Sequence, residues 1–260
     1  MTSLRPVALI TGVGRTVGIG AGIAERLASA GWDIATTHLE AYDDRMPWGR
    51  KPGDVEAVHA RLRDAGAASV AIEADLSDIA APARVIDEAT SRLGRVSALI
   101  LSHCESVDSS LMDTSVESFD RHFAVNVRAS MLLIQEFSRR LGRPAANADP
   151  AGRIVALTSD HVVNNLPYGA SKGALDRLVI GASRELGDQG VTANVINPGP
   201  VDTGWMTTEM ADAVRAETPA GRLGTPSDVA NLVAFLCSAA GGWVNGQLLH
   251  SDGGWSVKGG

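Results

Sequence analysis

Val7-Ala-Leu-Ile-Thr11-Gly12-Val-Gly14-Arg15-Thr-Val-Gly18-Ile19-Gly20 decides the fold. Its first five residues are apolar or β-branched and read as a buried strand, and the glycines that follow permit a tight turn. From about Ile19 to Ala30 the apolar residues recur with helical period until Gly31 stops them, and a second strand is expected over Asp33 to Thr37. Strand, glycine turn, helix and strand make a βαβ unit. In that context glycines let the backbone approach a pyrophosphate held at the helix N-terminus. The spacing is not the common G-x-G-x-x-G, because Val17 stands three residues after Gly14, and a purely structural turn remains the alternative.

The same alternation continues outward. Short apolar runs at Ser69 to Glu73, Ala98 to Ser102, Arg153 to Thr158, Val191 to Ile196 and Gln247 to His250 are separated mostly by helical segments. The pattern predicts an α/β chain: a Rossmann-type, doubly wound parallel sheet of about seven strands, helices on both faces, residues 1–260 forming one domain. Thr114-x-x-Glu117 reads as a capping box opening a long helix to about Arg140. Tyr42 to Asp54 reads as a loop, and Pro200 to Pro219 as a polar insertion.

Composition narrows the function. The chain has 260 residues, 45% hydrophobic and 20% charged, which is globular and not low-complexity. A net charge of −7 gives no basic footprint for nucleic acid or an anionic membrane, and no apolar run reaches a membrane-spanning length. Cys104 and Cys237 are too few for a disulfide framework, and Met1 to Pro6 lacks the apolar core of a signal peptide, so a cytoplasmic protein is expected. No His/Cys/Asp cluster has metal-ligand spacing.

Tyr168-Gly-Ala-Ser-Lys172 places a phenol and an amine four residues apart, on one face of a helix. A neighbouring positive charge lowers a phenol's pKa and suits it to proton exchange with an alcohol or ketone. The spacing alone is also common on helices without function.

Together, the glycine turn and Tyr168-x-x-x-Lys172 resemble the short-chain dehydrogenase/reductase family. The resemblance implies that Gly12, Gly14, Arg15, Gly18 and Ile19 meet the cofactor, with Gly20 completing the turn. The five residues between Gly12 and Gly18 exceed the family's usual gap and are similar to the related enoyl reductases. It further implies a catalytic tetrad of Asn126, Ser159, Tyr168 and Lys172, although Ser159 and Tyr168 are only nine positions apart, shortening the intervening loop. Without the resemblance, Asn126 in Phe123-Ala-Val-Asn-Val127 reads as a satisfied core amide. Asp75 and Leu76 match the adenine contact. Leu101-Ser-His-Cys104 departs from the family's Asn-Asn-Ala-Gly, leaving Ser102 as a polar contact. In Asn197-Pro-Gly-Pro-Val-Asp-Thr203, the residues Pro198, Gly199, Val201 and Thr203 match the nicotinamide end, and residues 199–220 with Trp205, Met206 and Met210 form the expected substrate lid.

Cofactor choice turns on His38, which stands where NAD-binding members carry an acid; Glu40 is near, and Arg15, Arg45, Arg50 and Lys51 surround the position. NADP(H) is therefore expected over NAD(H). The tail, from Gly221-Arg-Leu-Gly-Thr-Pro-Ser-Asp-Val-Ala230 to Asn245-Gly-Gln-Leu-Leu-His-Ser-Asp-Gly-Gly254, is similar to the 3-oxoacyl-[acyl-carrier-protein] reductase branch. The resemblance implies a homotetramer that reduces a small-molecule ketone to a secondary alcohol. An NAD-dependent alcohol dehydrogenase, an enoyl reductase and a non-catalytic dinucleotide sensor are the alternatives.

Overall fold

The computed structural model describes residues 5–142 and 151–257, so Met1 to Leu4, part of the segment read for a leader, lies outside them. The elements run β1 (Val7–Ile10), α1 (Ile19–Ser29), β2 (Asp33–His38), α2 (Glu40–Asp44), α3 (Asp54–Asp64), β3 (Ser69–Glu73), α4 (Ala81–Leu93), β4 (Val96–Leu101) and α5 (Val116–Phe123). There follow α6 (Ser130–Leu141), β5 (Gly152–Leu157), α7 (Leu166–Glu185), β6 (Val191–Asn197), α8 (Thr208–Glu217), α9 (Pro226–Cys237) and β7 (Leu248–His250).

Among the described residues the seven strands form one parallel sheet in the order β3-β2-β1-β4-β5-β6-β7. Side chains alternate across it, so each buried run feeds two cores. Val7 and Leu9 join Val85, Ile86, Leu133, Phe137, Leu175 and Val179 of α4, α6 and α7 on one face. Ala8 and Ile10 join Ile23, Leu27, Val58, Leu62, Val229 and Val233 of α1, α3 and α9 on the other. A wholly buried ring such as Phe137 carries about 3–5 kcal/mol against truncation to Ala. Strand order reverses at β1, which pairs with β2 on one side and β4 on the other, and the crevice at their C-terminal ends is where ligands lodge in such sheets.

Four expectations need correction. The Thr114–Glu117 capping box does not form: Ser115 is the cap, accepting from the Ser118 amide at 3.1 Å, because the Thr114 hydroxyl already bonds the Ser110 carbonyl at 2.6 Å. The long helix is not continuous, since Ala124–Ala129 adopt π-helical winding between α5 and α6. The segment read as a loop begins with the end of a short helix, α2, and the insertion before α9 contains α8. Among the described residues no helix is long and apolar enough to cross a membrane.

Candidate active site and dinucleotide cleft

A cleft of about 730 Å³ opens at the sheet's reversal point. It is lined by the candidate tetrad residues other than Asn126 and by the candidate cofactor contacts: Gly12, Gly14, Arg15, Gly18 and Ile19 after β1, His38 after β2, Asp75 and Leu76 after β3, Ser102 after β4, Ser159 after β5, Tyr168 and Lys172 on α7, and Pro198, Gly199, Val201 and Thr203 after β6. Of the lid residues Trp205 joins them, while Met206, Met210, Glu40, Arg50 and Lys51 do not. Strand ends supply most of them because parallel strands all point their C-termini to the same rim.

The glycine turn is built for close approach. Gly12 has φ of +77°, and a Cβ there would come within 2.7 Å of the His103 Cα. A Cβ at Gly20 would meet the Gly12 carbonyl oxygen at 2.8 Å. No side chain caps α1 at Gly18 and no acid occupies its first turn, so the positive end of the helix dipole faces the cleft unneutralised. At the far end, His38 Nδ1 is buried without a hydrogen-bond partner. A phosphate-bearing dinucleotide fits this donor set: Gly12, Gly14, Gly18 and Ile19 would hold its pyrophosphate and His38 its adenosine end.

Ser159, Tyr168 and Lys172 meet on the opposite wall. The phenol of Tyr168 interacts with the Ser159 hydroxyl, and Ser159 Oγ accepts from the His161 amide at 3.1 Å. Lys172 Nζ donates to the Leu157 carbonyl at 2.9 Å and lies 5.5 Å from the centre of the Tyr168 ring. Burial dominates their titration. It pushes the Tyr168 phenol above its ordinary range, with the Ser159 hydrogen bond pulling the other way, and it pushes Lys172 down. The expected lowering of the phenol by Lys172 is therefore not what the site expresses: desolvation favours the neutral form of each group and outweighs their proximity.

Asn126 stands apart. Its Oδ1 accepts from the Glu105 amide at 2.7 Å, while Nδ2 donates to the Glu105 carbonyl at 3.0 Å and to Ser171 Oγ at 2.8 Å. The amide fastens β4's extension to α7 one residue before Lys172, so it acts on the cleft through its neighbours. Asp75 Oδ1 is bonded by the Ser77 amide at 2.8 Å, and its other oxygen lies 3.7 Å from Arg121. The Ser102 amide donates to Thr11 Oγ1 at 3.1 Å, which ties the ends of β1 and β4.

Three of the four basic residues named around His38 are already partnered. Arg45 forms a two-pronged pair with Glu105, and Arg50 pairs with Glu40 and Asp44. Arg15 donates to the Thr203 carbonyl at 2.9 Å and stacks over Trp48 at 4.7 Å. Lining residues not singled out in the sequence include Tyr42, Trp48 and Asp43, delivered by the segment read as a loop, and His161.

The family model described as "Enoyl-(Acyl carrier protein) reductase" matches residues 12–256. The chain is a short-chain dehydrogenase/reductase. This oxidoreductase is similar to the Bacillus subtilis (strain 168) protein named "Uncharacterized oxidoreductase YjdA", at 35% identity with 97% of this chain and 98% of the relative covered. It is 32% identical to the "NADPH-dependent aldehyde reductase-like protein, chloroplastic" of Arabidopsis thaliana, with 96% and 93% covered. A Burkholderia cenocepacia J2315 short chain dehydrogenase, solved in complex with NADP, superposes with a TM-score of 0.83 at 33% identity, covering 96% of this chain and 98% of that one. The short-chain dehydrogenase/reductase fold therefore extends over nearly its whole length.

Proposed function

We propose that this enzyme reduces a ketone to a secondary alcohol with NADP(H), resembling the 3-oxoacyl-[acyl-carrier-protein] reductases in layout, and that residues 1–260 act as one dinucleotide-binding domain with 199–220 as substrate lid. The observation that carries the reading is the meeting of Ser159, Tyr168 and Lys172 across one cleft from the glycine turn.

When bound, the dinucleotide supplies a hydride to the carbonyl carbon. Ser159 hydrogen-bonds the substrate oxygen, and Tyr168 gives that oxygen its proton. A buried phenol held neutral is the form that reduction consumes, so the upward push on Tyr168 suits the reductive direction. Lys172 neighbours Tyr168 and holds the ribose, and Asn126 keeps Lys172's helix in register through Ser171. Asp75, Leu76 and Ser102 take the adenosine side, and Pro198, Gly199, Val201 and Thr203 the nicotinamide side. Arg15 and His38 accept the 2′-phosphate; the NADP-bound and NADPH-named relatives support this choice.

A second reading of the cofactor rests on Asp43. Its carboxylate is buried, is bonded by Trp48 Nε1 at 3.0 Å, and packs so close to Gly14 that a Cβ there would sit 2.6 Å from Oδ2. A carboxylate beside His38 accepts from a ribose 2′-hydroxyl and repels a 2′-phosphate, which favours NAD(H). Optical assay of NADPH and NADH against a panel of ketones, β-ketoacyl thioesters and 2-enoyl thioesters separates these readings. Tyr168→Phe is expected to lower turnover by about 10²–10⁴-fold while dinucleotide binding persists. A Tyr168→Phe enzyme with full turnover would overturn the catalytic assignment in favour of a dinucleotide sensor.

We further propose a cytoplasmic homotetramer. Phe235, Trp243, Leu248 and Val257 lie exposed near the C-terminal end of the chain, with Trp243 99% exposed, and Val116 and Phe119 stand out on α5.

A further inference from the structure

Immediately after β2 the chain turns back across the rim of the cleft, as α2 and the arm from Arg45 to Trp48. A five-residue helix does not hold itself. Past it, Gly49 and Gly53 adopt φ of +64° and +86°, on either side of Pro52. The arm's position therefore depends on what its side chains grip.

Its tip stacks under Arg15 through Trp48, and its ionic grip is on the end of β4. The Tyr42 phenol reaches the Cys104 thiol, close to Tyr168. The Arg45 guanidinium lies 4.9 Å from the centre of the Tyr42 ring and binds the Glu105 carboxylate, Nη1 to Oε1 at 2.7 Å and Nη2 to Oε2. The side chain of Glu105 is only 3% exposed, and a carboxylate so desolvated is tolerable only when fully paired. Arg121 of α5 supplies the second cation, Nε to Oε2 at 3.1 Å. Asn126 pins the Glu105 backbone at both its amide and its carbonyl. Glu105 is thus anchored from the fixed side by α5 and the π turn, while Arg45 is the only one of these partners that belongs to the arm.

We propose that Glu105 is a positioning residue that latches the α2 arm over the dinucleotide cleft through Arg45, so that dinucleotide leaves only when this pair breaks. The inference rests on the reading of the cleft as a nicotinamide dinucleotide site. It assigns Tyr42 to the roof of that site, where the ring, flanked by Arg45, closes the middle of the channel between His38 and Tyr168.

The test is a displacement experiment: protein loaded with NADPH, or with NADH if that is the form bound, is mixed with excess oxidised dinucleotide and the loss of reduced-nicotinamide fluorescence is followed by stopped flow. Arg45→Met, at a residue whose side chain is partly exposed, removes the moving cation; Glu105→Gln keeps the carboxylate's shape without its charge. Each is expected to speed release by about tenfold or more, and the double variant to match the faster single one, since both act through the same pair. An unchanged release rate in Arg45→Met, a slower one, or additive effects in the double variant would overturn the latch. Arg45→Met leaves Glu105 with Arg121 as its one cation and is expected to melt below the wild type, so release is followed at a temperature where both proteins are fully folded. If wild-type protein binds neither NADPH nor NADH at equilibrium, the dinucleotide reading and the latch fall together; if it binds and Arg45→Met releases at the wild-type rate, the latch alone falls.

Discussion

His103 occupies the first turn beyond β4, with Nδ1 2.6 Å from Thr11 Oγ1 and Nε2 3.0 Å from the Val125 carbonyl. Burial, and after it the nearby Lys172, hold its pKa down to about 4 in the folded chain against an ordinary 6.5. Between these values the unfolded chain takes up a proton that the folded one refuses. Stability is therefore full above about pH 6.5 and falls as the pH drops toward 4, by about 3 kcal/mol from this one group. Thermal melts from pH 7 to 4 are expected to show a shallower acid limb in His103→Gln than in the wild type. This imidazole was visible in the sequence only as a departure from a family motif. By contrast Gly12, Gly18, Ser159, Tyr168 and Lys172 stood out in the sequence by residue type and spacing, and the fold brings all five to one cleft. Glu105 and Tyr42 did not stand out, since an ion pair between the end of β4 and the arm after β2 leaves no local spacing to read.

Elements were legible where one periodicity governed them. The run Ser69 to Glu73 was read as a strand to the residue, being a short run of strand-forming residues between polar breaks. Caps were less so, because a capping hydroxyl has competitors that sequence does not rank. Thr114 matched the pattern and lost its hydroxyl to Ser110 and Ser109. Thr225 forms a true capping box with Asp228, whose carboxylate also binds Arg222 through both oxygens. Thr225→Ala is expected to cost about 1 kcal/mol and to lower the melting temperature by about 2–4 °C in calorimetry, with Thr225→Ser recovering most of it. The π winding at Ala124–Ala129 had no signature in composition, and yet it carries Asn126.

At the scale of the molecule the parallel sheet followed from alternation alone, because strands buried on both faces leave no other arrangement for their apolar runs. The cleft opens at the sheet's reversal point, which the alternation did not specify. What alternation does not reveal is which outer surfaces meet a second copy. Trp243 is the test case: Trp243→Glu is expected to convert a particle of four 27.0 kDa chains into smaller species in light scattering, with the circular dichroism spectrum unchanged. A wild-type protein that scatters as one chain would remove the tetramer from the proposal and leave the chemistry intact.

Arg15 leans on the indole of Trp48 with its flat face and on the backbone oxygen of Thr203 with its edge. The flaps on opposite banks of the cleft thereby share a single rivet. Neither moves outward without breaking one of these two contacts, so the two banks are expected to open together.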